Sequence, residues 1–424
     1  MKPEAAIILA GAREIGNDAA RERIKRELGR VKSIATLERA IELQKVAPLL
    51  HKTLDAVLDE HAHPELRRLV SNLRAFTVTR WLPHRQRLLH SRNRLTSLLS
   101  EANIPHAFFR GLEHAERFYD TPSLRWAEDV DVLVPVEHEQ RALRACTDGG
   151  FALAEHGHVQ IARQAFTRQV ELLDTENGVR VDLNFELTGN SQIGYVPFDM
   201  DQIWNRARPT GDTTRFELSH EDVFLESVRH MVHGHDFSNG IAKVCCDVAS
   251  LMHRVDTGWD VDYILYQSRK AEMVEGLRQF VYFFDEYYAN GTDSSLARRF
   301  AGNVIATPAA HARRYSRGIV LGQMLRFPSK NILATLLSTN IAMCGKVWIV
   351  DRTPRAIKLI LMVLRPNVNE RTLVLNLVGV ERYEGWGAVL RYYLILLCLS
   401  PGIGIGMTLH LLRKVVTVVT GANR

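Results

Sequence analysis

Apolar residues recur at intervals of three and four through the first hundred positions, as in Leu37, Ile41, Val46, Leu49 and Leu50, and this spacing predicts helices that each bury one face. Arg21 to Arg26 and Arg80 to Arg94 supply polar faces between them, and Pro48, Pro64 and Pro83 mark where helices start, kink or stop. Near Ile104 the period changes. His106 to Phe109 reads as a short strand, Leu112 to Phe118 as a helix, and Val130 to Val134 as an apolar strand closed by Pro135. Glu137 to Thr147 reads as a helix stopped by Gly149 and Gly150. Two further strands, Phe166 to Leu173 and Val179 to Leu187, flank a turn at Thr175, Glu176, Asn177 and Gly178. This order predicts an α/β (α+β) fold, a small mixed-sheet core flanked by helical modules. Helical periodicity returns at Ser219, a suitable N-cap with Glu221 and Asp222 in the first turn, and runs through Val244 to Leu251 to about Tyr288.

The last hundred residues change character again, with basic residues spaced between apolar stretches at Asn331 to Met343, Ala356 to Leu364 and Tyr392 to Leu412. The final stretch has about the length a helix needs to span a bilayer. Pro401, Gly402, Gly404 and Gly406 interrupt it, so spanning, re-entrant and interfacial placements all stay open. The expected organisation is an N-terminal helical module over residues 1–99, a sheet core over 100–218, a helical module over 219–300 and a basic amphipathic region over 301–424.

Charge sharpens this division. The chain is +6 overall, but residues 321–424 carry 13 Lys and Arg against 4 Asp and Glu, which leaves the rest net negative. Nucleic acid is therefore not the favoured partner of the sheet core, whereas the C-terminal region suits an anionic membrane surface. The hydrophobic and charged fractions, 46% and 24%, are those of a folded globular protein. Five cysteines without a Cys-x-x-Cys pair, and an apolar run at Ala5 to Ala12 too short for a signal peptide or a span, lead us to expect a reducing, cytoplasmic setting for the core.

The chemistry-bearing stretch is Glu128-Asp129-Val130-Asp131-Val132-Leu133-Val134. Two carboxylates two residues apart on a strand point to the same side of a sheet. Asp182, in Val181-Asp182-Leu183-Asn184-Phe185, lies on a later strand able to pair beside the first. Three such carboxylates can hold two Mg²⁺ ions roughly 3.5 to 4 Å apart, the arrangement that in-line nucleotidyl transfer uses. Upstream, Phe109-Arg110-Gly111 sits where a strand runs into a helix. Glycine there lets backbone N–H groups and the helix dipole meet a triphosphate, and Arg110 adds a cation.

Phe109-Arg110-Gly111, Phe118-Tyr119, Leu124-Arg125 and Asp129-Val130-Asp131-Val132-Leu133-Val134 together resemble the signature of the uncharacterised nucleotidyltransferase family of the polymerase-beta superfamily. Similarity continues through Leu43 to Leu54 upstream, and through Val181 to Phe185, Ile203 to Ala207, Leu218 to Asp222, Asp247 and Trp259-Asp260 downstream. The resemblance implies a minimal nucleotidyltransferase core that moves NMP from an NTP to an acceptor and releases pyrophosphate. It implies Mg²⁺ or Mn²⁺ as cofactor, bound by Asp129, Asp131 and Asp182, and a nucleotide-binding turn shaped by Gly111; Arg110 and Arg125 are the cations expected at the nucleotide, with a structural salt bridge from Arg125 to Asp129 or Glu128 a nearly equal alternative. Three positions depart from the family pattern: Arg110 replaces a Lys, Asn184 stands where a His often follows the third carboxylate, and Glu128 replaces a small residue.

Other features carry less. His230, His233 and His235, followed by Asp236, suit a metal site or helix-end packing. Cys245 and Cys246 suit a buried apolar helix, and Trp126, Trp204 and Trp259 suit core anchors. The sequence leaves open the acceptor and the nucleotide. It also leaves open a non-catalytic nucleotide-binding or scaffolding protein at a membrane, and nucleotidyl transfer to a protein or peptide side chain.

Overall fold

The arginine-rich N-terminal stretch folds as six helices: α1 (Pro3–Gly11), α2 (Asp18–Leu28), α3 (Ile34–Leu43), α4 (Ala47–Asp55), α5 (Pro64–Phe76) and α6 (Leu82–Glu101). This is a computed structural model, and it describes residues 1–13, 18–58, 63–154, 169–187, 198–211, 214–231, 240–255, 258–271, 273–289 and 295–306. All of these lie in one compact unit, Met1–His156 with Arg163–Phe327. Pro48 and Pro64 sit in the first turn of α4 and α5, where a missing N–H costs nothing, and Pro83 is the second residue of α6. Between α5 and α6 a π-helical turn, Thr77–Trp81, carries the chain on without a break.

The sheet region then follows the expected order, with one further helix and three further short strands. Its elements are β1 (His106–Phe108), α7 (Gly111–Phe118), β2 (Val130–Leu133), α8 (Glu139–Asp148), β3 (Phe151–Leu153), β4 (Gln169–Asp174), β5 (Val179–Asn184), α9 (Met200–Arg206), β6 (Arg208–Pro209) and β7 (Arg215–Glu217), of which α9, β3, β6 and β7 are the additions. The expected turn at Thr175 to Gly178 joins β4 to β5: Gly178 takes a positive φ of 64°, and the Asp174 carboxylate accepts from the Glu176 N–H at 3.1 Å and the Asn177 amide at 2.8 Å. Strand order is β3-β4-β5-β2-β1-β7-β6. The sheet is mixed, with β2 parallel to β5, β1 parallel to β7, and the other neighbours antiparallel.

Alternation along the central strands assigns the two faces. Val130, Val132 and Val134, with Val179, Val181 and Leu183, join Leu88, Leu95 and Leu99 of α6 and Ala142 and Cys146 of α8 in one apolar cluster. Asp131 and Asp182 therefore project from the opposite face. There the chain continues as α10 (His220–Arg229), α11 (Ile241–Arg254), α12 (Val261–Lys270), α13 (Val274–Phe283) and the short α14 (Leu296–Arg299). Ser219 caps α10 as expected, its hydroxyl accepting from the Asp222 N–H at 3.2 Å. These helices share a second cluster with α1, α3 and α4, and the Tyr288 hydroxyl donates to the Ala12 carbonyl at 2.8 Å.

Trp126, Trp204 and Trp259 all pack against this core, and Cys245 and Cys246 are buried free thiols on α11. Among the described residues no helix is long and apolar enough to cross a membrane. The Tyr392 to Leu412 segment, His233, His235 and Asp236 lie outside the described residues.

Candidate functional site

Asp131 stands directly opposite Asp182 in the register of the parallel pair β2 and β5, so the two side chains leave the same face as neighbours. Each is 6% exposed. Asp129 precedes β2 and is half-buried at the same end. Burial raises the Asp131 pKa; Arg110 opposes the rise, but the negative charges of Asp129, Asp182 and Glu226 add to it, and the carboxyl is held well above its ordinary value. The three predicted acids thus act on one another electrostatically.

The strand-to-helix turn supplies the cation. Arg110 takes φ +58° and Gly111 φ +41°, two successive left-handed positions between β1 and α7. A side chain at Gly111 would meet only ordinary contacts, Ala127 Cβ and the Asp129 carbonyl at 3.5 Å each, so the glycine is required by backbone angle rather than by space. Arg110 makes no side-chain cap, so among the described residues the N-cap side chain satisfies none of the first-turn N–H groups of α7. Its guanidinium instead bridges two acids: Nη1 donates to Asp131 Oδ1 at 2.9 Å and Nε to Glu226 Oε1 at 2.5 Å. Burial disfavours the Arg110 charge, but Glu226 and Asp131 outweigh it and raise its pKa. A lysine, the residue more usual at this place in the pattern, has one nitrogen and cannot present two directed edges in this way.

Arg125 is held elsewhere. It is 4% exposed and forms a bidentate pair with Asp247 of α11, Nε to Oδ1 at 3.0 Å and Nη2 to Oδ2 at 2.8 Å, while Nη1 donates to the Trp126 carbonyl at 3.2 Å. The Tyr119 hydroxyl donates to the same Asp247 at 2.7 Å. Burial raises the Asp247 pKa, but Arg125, together with His114 and Lys243, more than reverses this and the carboxylate is held below its ordinary value. The two remaining departures from the expected pattern also find partners. Glu128 forms an ion pair with Lys45, and Asn184 donates to the Asp182 carbonyl at 2.8 Å and to that of Val132 at 3.4 Å. Asn184 thus fastens β5 to β2 rather than offering a base.

Three groups in this neighbourhood carry no local motif. Glu226 lies on α10 and Asp247 on α11, and both meet their arginines across more than a hundred residues. Lys243, on the first turn of α11, is lowered to about 7 by burial and by the charges of Arg125 and Lys45. Asp247 had a sequence signal in the family resemblance, though not in any local pattern; Glu226 and Lys243 had none.

A divalent cation suits this donor set in chemistry, since all three acids offer only hard carboxylate oxygens and their mutual repulsion would be relieved by positive charge. In the arrangement seen, Arg110 takes up that repulsion at Asp131, and among the described residues no three His, Cys, Asp or Glu side chains stand at metal-ligand spacing. His230, at the end of α10, belongs to no such group.

Residues 32–289 match the sequence model of a family described as uncharacterised nucleotidyltransferase. No curated protein and no solved structure matches the chain.

Proposed function

Because this chain belongs to the uncharacterised nucleotidyltransferase family, we propose that it moves NMP from an NTP to an acceptor hydroxyl or similar group, releasing pyrophosphate, at the face that carries Asp129, Asp131 and Asp182. The observation that carries this reading is the register of Asp131 against Asp182 on parallel neighbours, beside the Arg110–Gly111 turn. The acceptor oxygen attacks the α-phosphorus, the bond from that phosphorus to the bridging oxygen breaks, and Asp182 takes the acceptor's proton. Arg110 and the uncapped first turn of α7 receive the phosphate charge. Arg125 contributes by fixing the loop before Asp129 to α11 through Asp247. Mg²⁺ or Mn²⁺, held by Asp129, Asp131 and Asp182, would polarise the acceptor and offset charge on the leaving pyrophosphate. We place the reaction in the cytoplasm, with the basic C-terminal region directed to an anionic membrane surface, on the strength of the sequence alone.

One observation favours a second reading, a nucleotide-binding protein without turnover: Arg110 already pairs with Asp131. In that reading the pair is permanent. Transfer of α-phosphate label from each of the four NTPs, with Mg²⁺ or Mn²⁺, into a cell extract and into the chain itself separates the two. The wild type should label an acceptor, and Asp131→Asn should lose on the order of 100-fold or more of that activity. Equal labelling by both proteins would remove the site from the reaction, and nucleotide binding without any labelling would favour the second reading.

A further inference from the structure

Glu226 is 2% exposed on α10, a helix whose residues from Glu221 to Arg229 are all buried. A buried carboxylate is costly unless a cation meets it, and among the described residues the cation paired with Glu226 is Arg110. The pairing is one-sided. Nε and Nη2 of Arg110 both approach Oε1, while Oε2 has no hydrogen-bond partner among the described residues. A pair built only for stability favours the two-oxygen, two-nitrogen fork that Arg125 and Asp247 adopt a short way along the same helical layer. Here the grip falls on one edge of the guanidinium and leaves Nη1 directed at Asp131 at 2.9 Å.

We infer that Glu226 is the positioning residue for Arg110, holding the guanidinium by its Nε–Nη2 edge so that Nη1 is presented to the triphosphate of an incoming nucleotide. The inference rests on the nucleotidyltransferase reading above. Arginine has four rotatable side-chain bonds, and the turn at φ +58° fixes only where the chain begins. Without Glu226 the guanidinium would be free to close on Asp131 with two nitrogens, using its own charge to neutralise the acid. With Glu226 in place, Nη1 exchanges Asp131 for a phosphoryl oxygen while the opposite edge stays anchored. An arginine therefore performs here what a lysine cannot, since a single ammonium would have to leave one acid to reach the phosphate. The device also gives the helices after the sheet a part in substrate binding, because Glu226 follows Arg110 by 116 residues and reaches it from another layer.

The test is calorimetric binding of an NTP analogue with a methylene between the α- and β-phosphates, in Mg²⁺, to the full chain. Glu226→Gln keeps size and removes charge, and should weaken binding about tenfold, the usual scale for a group acting through another. In an Arg110→Lys background the same change should cost less than about twofold, because the edge it holds is gone. Glu226→Asp, which keeps the charge but withdraws it by one methylene, should weaken binding in the same direction and serves where Glu226→Gln does not fold. Wild-type affinity in a folded Glu226 variant overturns the positioning role, and so does an equal loss in the wild-type and Arg110→Lys backgrounds. A wild type that binds no analogue at any nucleotide base overturns the nucleotidyltransferase reading itself, which separates the two failures.

Discussion

The Arg125 guanidinium lies between Asp247 and the Trp126 carbonyl, with the Tyr119 hydroxyl on the same carboxylate. All three charged or phenolic groups are deeply buried, so removing the arginine leaves the Tyr119 hydroxyl as the hydrogen-bond partner of Asp247 among the described residues. Arg125→Met should then cost about 3 to 5 kcal/mol in urea unfolding, whereas Arg125→Met combined with Asp247→Leu should cost much less, because no charge is stranded. A single substitution that costs under about 1 kcal/mol would mean the pair is solvated rather than structural. At this scale the sequence was legible where the pattern is local. Asp129, Asp131 and Asp182 are readable because a strand alternates its faces, and Gly111 because a strand-to-helix turn needs left-handed backbone. Glu226 was not, and Asp247 was marked only by the family resemblance and not by its partner, since the two arginines stand 116 and 122 positions away and a buried ion pair leaves no periodic mark.

Helix α11 begins where several of these contacts converge: the Gln44 side chain accepts from the Ala242 N–H at 3.2 Å, and Lys243 follows at once. Burial, Arg125 and Lys45 lower Lys243 from 10.5 to about 7, so across that range the unfolded chain carries a proton that the folded chain lacks. Its effect on stability is unfavourable below the lower value and is relieved as pH rises through the window. The difference in unfolding free energy between wild type and Lys243→Met should climb from about pH 7 to about pH 10 and stay flat below it; a difference independent of pH would show that Lys243 is solvated. Elements long enough to show a period were legible, including α7, α8, β2 and the β4–β5 turn. The strands β3, β6 and β7 were not: they have three, two and three residues, too few for alternation, whereas the equally short β1 was marked by the Arg110–Gly111 turn that follows it.

Across the whole described molecule, the first helix and the last ones complete a single core. Helix α1 is apolar on every side, with Ala5, Ile7, Ile8 and Leu9 at 0% exposure, and it packs with α2, α3 and α4 in the cluster that also contains Phe280, Phe283 and Phe284. A run apolar on all sides has no amphipathic stripe to read, so the sequence marked it only as too short for a span, and neither its burial nor its partners were legible. Ile8→Ala should cost about 2 to 5 kcal/mol and leave one urea transition, reported alike by backbone and tryptophan signals. Two separate transitions would mean that the N-terminal helices unfold on their own.

On the proposed function, the sheet face bearing Asp129, Asp131 and Asp182 transfers the nucleotidyl group rather than the terminal phosphate. This transfer is tested most directly by running the reaction twice with one NTP, labelled once at the α-phosphate and once at the γ-phosphate, with wild type and Asp131→Asn side by side. Nucleotidyl transfer at this face should place α label on the acceptor and release γ label as pyrophosphate, and both signals should vanish with the variant. γ label on the acceptor, or α label transferred equally by the variant, would contradict it.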